Sequence, residues 1–280
     1  MPLLRDTTII ERPANQNNIT KRYSDEAVRF INKQGDSPFF LYLAHNLPHI
    51  PLFASEDFKG KSTRGLYGDV VEEIDYGVGK ILEALKAKGL DENTIVVFTS
   101  DNGPWLPFKN NGGSAGPLRA GKGTTWEGGM RAPTIFWGPG FIVPGVVSEL
   151  GSTLDLFTTF STMANSSIPK DRIIDGLDLT PTLLEGKSSP RENMFFYRGS
   201  ELFAVRLGNF KAHFSTQGAY GQFGERVEHE TPLLYNVAFD AGERFDISDK
   251  HPAILDEIRD LVLQHEAKLV RGKDQLAERE

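Results

Sequence analysis

Between residues 67 and 103 one hydrophobic period gives way to another, and that change restricts the chain to a mixed α/β architecture. Tyr67, Val70, Val71, Ile74, Val78, Ile81, Leu82 and Leu85 recur at three- and four-residue intervals, which aligns them on one helix face, and Gly89 supplies a left-handed stop. Thr94–Thr99 (TIVVFT) follows as a β-branched run without alternation, the pattern of a strand covered on both faces. Ser100, Asp101, Asn102 and Gly103 stand at its carboxyl end. In open α/β sheets ligands gather at the carboxyl ends of strands, so polar residues there are the first candidates for a site.

The same alternation continues on either side, with no internal repeat. A helix is expected from Ser24, as its cap, through Ala27, Val28 and Ile31 to Gln34, ended by Gly35. Phe39–Ala44 (FFLYLA) then reads as a buried strand feeding the loop that holds His45 and His49. Residues 102 to 129 carry eight of the 28 glycines, which marks a loop whose backbone comes close to something. Pro133–Trp137 is a further strand, Asp155–Ala164 a helix, and Asp175–Pro181 irregular backbone. A boundary is expected near Gly186, separating residues 1–186 from 187–280. Beyond it Met194–Tyr197, Leu202–Arg206, Phe210–Phe214 and Leu233–Asn236 form short strands at spacings suited to an antiparallel sheet. A helix with Ile254, Leu255, Ile258, Leu261 and Val262 on one side completes a small α+β subdomain, and the charged Arg271–Glu280 stretch is expected to fray.

Composition narrows the function. The 280 residues can bury a substantial core, and no apolar run approaches the roughly 20 residues that a bilayer requires. With 31 Lys+Arg against 38 Asp+Glu the net charge is −7, which argues against a nonspecific nucleic-acid surface. The absence of cysteine excludes disulfides, thiolate metal sites and a cysteine nucleophile within these residues. The opening residues, MPLLRDTTIIERPANQNN, lack the apolar core of a secretory signal, which leaves an exported parent open if its start lies upstream.

Three groups could carry chemistry. Asp101 and Asn102 offer a carboxylate and an amide oxygen, hard ligands suited to calcium or magnesium, although Asp-Asn-Gly also ends strands as a plain turn. His45 and His49 are four apart, but Asn46 stands where a zinc HExxH helix has Glu, and Pro48 and Pro51 oppose a helix. His49, stiffened by those prolines, is the better acid–base candidate. Gly116-Pro-Leu-Arg-Ala-Gly-Lys122-Gly nearly matches a phosphate-binding GxxxxGK[ST] loop. It fails because Gly123 replaces the Ser or Thr, no apolar strand leads into Gly116, and Gly128-Gly129 discourages the helix that would hold phosphate. Lys122 nonetheless suits a tetrahedral oxyanion, its alternative being a solvated side chain. The remaining histidines (His213, His229, His251, His265) read as structural or surface groups, and Asp155, Asp175 and Asp178 as caps. Trp105 and Trp126 suit either a sugar pocket or plain packing.

Pro48-His49-Ile-Pro, Thr99-Ser-Asp101-Asn102-Gly103 and Gly121-Lys122-Gly-Thr-Thr-Trp-Glu-Gly-Gly129 together resemble the sulfatase family in order and spacing. The likeness continues through Phe210-Lys-Ala-His-Phe-Ser-Thr-Gln-Gly218 and Pro232-Leu-Leu-Tyr-Asn, which resemble the arylsulfatase A and N-acetylgalactosamine-6-sulfatase branch. It implies an alkaline-phosphatase-like α/β fold lacking its amino-terminal part, followed by the small subdomain. It also implies Asp101 and Asn102 as two calcium ligands, His49 as the group that binds sulfate and protonates the departing alcohol, and Lys122 as a contact to sulfate oxygen. In the family a formylglycine made from Cys or Ser in a C/S-x-P-S/A-R motif attacks sulfur. Here no cysteine exists, Ser188-Ser-Pro-Arg191 has the wrong spacing, and the early Asp-Asp pair and the Gly-Lys-Trp-His segment are absent.

The expectation is therefore a sulfuric ester hydrolase by family whose Met1 begins inside a longer sulfatase, and which is inactive alone. Its partners would be a sulfated small molecule or glycan and a separate amino-terminal sulfatase fragment, with no nucleic acid and no membrane span. A full-length member would be periplasmic, extracellular or lysosomal. Two alternatives stand beside it: a non-catalytic sulfoglycan-binding module, and a phosphatase or phosphonate hydrolase of the same architecture.

Overall fold

The computed structural model describes residues 1–272, so most of the Arg271–Glu280 stretch lies outside the described residues. The chain divides into two compact units. The first comprises Met1–Val96 with Phe108–Gly113 and Gly138–Gly140; the second comprises Val97–Pro107, Ser114–Trp137 and Phe141–Glu280.

The first unit opens with an antiparallel pair, β1 (Leu3–Arg5) and β2 (Thr8–Glu11), too short for its pattern to be legible in the sequence. Helices α1 (Ile19–Lys33) and α2 (Gly65–Ala87) pack together; Ile19, Leu47, Ala54, Val70 and Ile74 form one buried cluster, and Ala27, Ile31, Ile81 and Leu85 are buried as well. The periodic run from Tyr67 to Leu85 lies within α2, and Gly89 beyond it adopts the expected left-handed φ of 65°. Helix α1 begins five residues before the expected Ser24 cap. Burial of Ile19 and Thr20 extends the helix, and Ser24 lies inside it, its hydroxyl donating to the Thr20 carbonyl at 3.1 Å. A Cβ at Gly77 would collide with the Ser24 side chain, so the small residue on α2 lets the helices approach. Asp69 accepts amide hydrogen bonds from Ser62, Gly60 and Lys61, which hold its carboxyl below the ordinary range and tie the entering loop to α2.

Phe39–Ala44 is not the expected buried strand. The segment alternates in burial with period two, and the Phe39 ring meets Phe30 edge-on at 5.6 Å, but no strand assignment covers it. Phe40 and Tyr42, on the other face, are 73% and 81% exposed. β-propensity favours an extended backbone but cannot supply the neighbouring ladder that makes a strand.

In the second unit β3 (Val96–Thr99) pairs, among the described residues, with β4 (Thr134–Trp137) alone, and the Thr99 and Thr134 hydroxyls lie 2.9 Å apart. β3 is two residues shorter than expected and Phe98 is 42% exposed, which corrects the reading of a strand covered on both faces. Between them lie a 3-10 segment (Leu106–Asn111) and one short α-helical turn, α3 (Glu127–Met130). Helices α4 (Asp155–Met163) and α5 (Thr180–Glu185) follow, the latter ended by Gly186 at φ 66°. Asp155 stands at the first position of α4 but does not cap it, since its carboxylate accepts no hydrogen bond from the helix. It accepts from the Ser152 and Leu177 amides and forms a fully buried ion pair with Arg191.

Strands β5 (Asn193–Arg198), β6 (Glu201–Leu207), β7 (Phe210–Thr216) and β8 (Val227–Asn236) form the expected antiparallel sheet in sequential order. Helix α6 (Pro252–Glu266) covers it, placing Leu255 and Ile258 on Val205, Ala212 and Leu234. His265 stacks on Phe195 at 3.8 Å, as its position beside an apolar helix face suggests. Among the described residues no helix is long and apolar enough to cross a membrane.

Candidate functional site

The carboxyl end of β3 and the glycine-rich loop are sewn together by backbone hydrogen bonds. The Gly103 amide donates to the Gly129 carbonyl at 3.0 Å, and the Lys122 amide donates to the Pro104 carbonyl at 2.9 Å. Within the loop the Gly128 amide donates to Arg119 O at 2.8 Å and the Thr124 hydroxyl to Gly121 O at 2.8 Å. A Cβ at Gly103 would run into the Gly128 carbonyl, and one at Gly121 into the Pro104 carbonyl. The glycines are thus required for close backbone approach. The segments that bear Asp101–Asn102 and Lys122 are thereby neighbours. Asp101 is exposed and Asn102 half-buried, with the Ser100 hydroxyl donating to the Asn102 carbonyl at 3.1 Å. The Lys122 amine stands 5.1 Å from the centre of the Trp105 ring.

Asp101 and Asn102 have the right donor chemistry for a hard divalent cation, but calcium takes six to eight oxygens. Among the described residues no group of three or more His, Cys, Asp and Glu is arranged to hold a metal ion. The remaining ligands would have to come from substrate, water or another polypeptide segment.

His49 belongs to the first unit. It is exposed, and its Nδ1 lies 2.7 Å from the Ile50 carbonyl. A carbonyl only accepts, so Nδ1 carries the proton and Nε2 is the basic nitrogen of the neutral ring. His45 is largely buried beside Tyr23, and burial pushes its pKa down. Residues 45–49 are not helical, so the two histidines do not form a zinc pair of the HExxH kind.

A buried ionic network, not anticipated as a unit, anchors the loop that carries Lys122. Glu127 follows that loop, and its Oε1 accepts from the Lys211 amine at 2.9 Å, while Arg206 lies 3.6 Å from its other oxygen. Glu243 accepts from the Glu127 amide at 2.6 Å and from His213 Nε2 at 2.7 Å, and stands 3.4 Å from the Lys211 amine. The Glu243 carbonyl accepts from Arg119 at 2.7 Å, and the Arg119 guanidinium lies over Trp126. The two carboxylates thus face the Lys211 and Arg206 cations, while the third cation, Arg119, is held by the Glu243 carbonyl and the Trp126 ring. Burial pushes His213 down to about 4, outweighing the hydrogen bond it donates to Glu243, so the imidazole is neutral. Burial alone would raise Glu243, but the His213 hydrogen bond and Lys211 overcome it and keep the carboxyl below its ordinary value. The sequence held one clue: Lys211, His213 and Ser215 alternate with Phe210, Ala212 and Phe214 along β7. Trp126 is 3% exposed and packs on His213, so it belongs to the core and not to a pocket.

On the open side of the loop, Lys122 lines a shallow cleft with Tyr220, Gln222 and Phe223 from the turn between β7 and β8.

Comparison with known proteins is consistent across families, sequences and structures. The sulfatase family model matches residues 5–166, and that of the C-terminal region of aryl-sulfatase matches residues 189–280. N-acetylgalactosamine-6-sulfatase of Mus musculus is 46% identical over 95% of this chain and 56% of its own length. Arylsulfatase A of Homo sapiens is 38% identical over 99% of this chain and 59% of its own. The crystal structure of PsFucS1 sulfatase from Pseudoalteromonas sp. superposes with a TM-score of 0.86 at 29% identity, covering 92% of this chain and 55% of that one. The chain therefore spans a little over half the length of the relatives it matches.

Proposed function

Because the chain belongs to the sulfatase family, and shares its alkaline-phosphatase-like fold, we propose that it builds one side of a sulfate-ester site and binds such esters without turning them over alone. In this reading Lys122 pairs with sulfate oxygens, Asp101 and Asn102 supply two oxygens to a calcium ion, and His49 binds sulfate and protonates the leaving alcohol. The calcium, when bound, neutralises charge on the sulfuryl oxygens. The chain's own groups would act as follows. The Lys122 ammonium offsets the same negative charge, and a protonated His49 ring donates to an otherwise poor alkoxide leaving group. The attacking formylglycine has no counterpart among these 280 residues, which contain no cysteine. Turnover by these residues alone is not expected.

The observation that carries this reading is the backbone stitching of Gly103 and Pro104 to the glycine-rich loop, which brings the segments bearing Asp101, Asn102 and Lys122 side by side at a strand's carboxyl end. Completion of the site falls to the amino-terminal sulfatase elements, whether upstream in the same protein or on a separate polypeptide, and the exposed Phe40 and Tyr42 face is a suitable surface for them. The substrate class follows the relatives: a sulfated sugar such as N-acetylgalactosamine 6-sulfate. Their kind suggests a lysosomal or secreted location. A division of the chain at Gly186 remains part of this reading.

Calorimetric titration with inorganic sulfate in the presence of calcium tests the assignment. Lys122→Met should weaken sulfate binding about tenfold, equivalent to about 1.4 kcal/mol. Unchanged affinity in both Lys122→Met and Asp101→Ala would sink the site. An aryl sulfate should yield no product, and turnover abolished by His49→Ala would refute the inactivity.

A further inference from the structure

We propose that the turn between β7 and β8 forms a carbohydrate subsite in which the ring of Tyr220 stacks on the pyranose whose sulfate faces Lys122, so that the cleft selects sulfated hexoses over bare sulfate. The inference rests on the sulfate reading of Lys122 and adds the leaving-group side of the same site.

The turn is built tightly. Ala219 and Gln222 exchange both backbone hydrogen bonds at 3.0 Å, and the Gly218 amide donates to the Gly224 carbonyl at 2.9 Å. Arg198 pins the turn by donating to Gly218 O at 2.8 Å. Tyr220 and Gly221, the two central residues, have φ of 54° and 74°. Hairpin turns of this type favour Asn, Asp or Gly at both places. A tyrosine there adopts a backbone region unfavourable to bulky L-residues, and such outliers gather at functional sites. Phe223, at φ 67°, repeats the anomaly three residues later.

The strained rings project toward the lysine loop. The Tyr220 and Trp105 rings lie 5.1 Å apart with their planes 54° apart, and Trp105 is the ring beside the Lys122 amine. Gly123 makes the approach possible, since a Cβ there would fall 2.8 Å from Ala219 Cβ and 3.0 Å from Tyr220 Cε2. Tyr220 nevertheless remains 52% exposed and Phe223 49% exposed, so their faces are not consumed by packing. The exposed Tyr220 and Phe223 faces thus stand beside the lysine loop, where both residues, Lys122 and Gln222 line one shallow surface depression. That set matches a sulfated pyranose: the anion meets Lys122, the apolar C–H face of the ring meets an aromatic face, and a hydroxyl or acetamido group meets Gln222.

The test titrates the full chain, with calcium present, against inorganic sulfate, N-acetylgalactosamine, N-acetylgalactosamine 6-sulfate and an aryl sulfate. The sulfated sugar should bind at least about tenfold tighter than inorganic sulfate. Tyr220→Asn removes the ring while suiting the left-handed backbone, so it keeps the turn. It should erase that tenfold advantage and leave the affinity for inorganic sulfate unchanged. Gly123→Ala should reduce the advantage by displacing the ring. Equal binding of sulfate and sulfated sugar, an advantage that survives Tyr220→Asn, or tighter binding of the aryl sulfate would each overturn the subsite. Binding of the unsulfated sugar that Tyr220→Asn abolishes, with no response to inorganic sulfate, would support the subsite and defeat the anion reading of Lys122.

Discussion

Replacing Glu243 with Gln would test whether the buried network anchors the Lys122 loop. The substitution keeps the side chain's shape and one acceptor for the Glu127 amide, but leaves Lys211 and Arg206 opposed by Glu127 alone. Lys211 and Glu243 are both fully buried, so water cannot screen the imbalance. Removing one partner of a buried pair costs about 3–5 kcal/mol, and the retained acceptor places this case near about 3 kcal/mol. That is a large share of the roughly 5–15 kcal/mol that holds a domain folded. All three tryptophans (Trp105, Trp126 and Trp137) lie in the second unit, so their fluorescence in a urea titration follows that unit specifically. At an m-value of about 3 kcal/mol/M the midpoint should fall by about 1 M. Adding Lys211→Met restores one carboxylate against one cation and should recover more than half of the loss. A single-variant cost below about 0.5 kcal/mol, or strictly additive costs in the double variant, would refute the argument.

Two further outcomes follow from the same geometry. His213 is neutral in the folded protein down to about 4, whereas in the unfolded chain it takes a proton near 6.5. The unfolded state therefore binds more protons in that window, and stability should fall by about 3 kcal/mol as pH drops from 6.5 to 4. Urea midpoints measured across this range should flatten in His213→Gln, and an unchanged slope would contradict the assignment. The exposed face of Phe40 and Tyr42 should promote self-association. Light scattering should show that Phe40→Lys with Tyr42→Lys lowers aggregation while the urea midpoint stays within about 0.5 kcal/mol of the parent; persistent aggregation would place the sticky surface elsewhere.

Legibility followed the range of the interactions. Helix α2 and its Gly89 stop were readable because period and punctuation lie within one segment. The four strands of the antiparallel sheet were readable in the same way, since sequential pairing keeps partners close in the chain. Phe39–Ala44 carried the same kind of signal and did not become a strand, because a ladder depends on a neighbour that local sequence does not specify. Trp105 and Trp126 looked equivalent as pocket candidates. One stands beside Lys122 and Tyr220, while the other is packed between Arg119 and His213.

The sequence by itself determined which residue types sit at strand ends and in the glycine-rich loop, and through them the family. Those motifs are short, local and ordered, so no long-range contact is needed to recognise them. Only the tertiary structure decided that Glu127, Lys211, His213 and Glu243 close on one another, and that Tyr220 comes to rest against Trp105. Glu127 and Glu243 stand 116 residues apart, as do Trp105 and Tyr220 to within one. At such separations contact is set by how the sheet and loop pack, and side-chain chemistry alone names no partner.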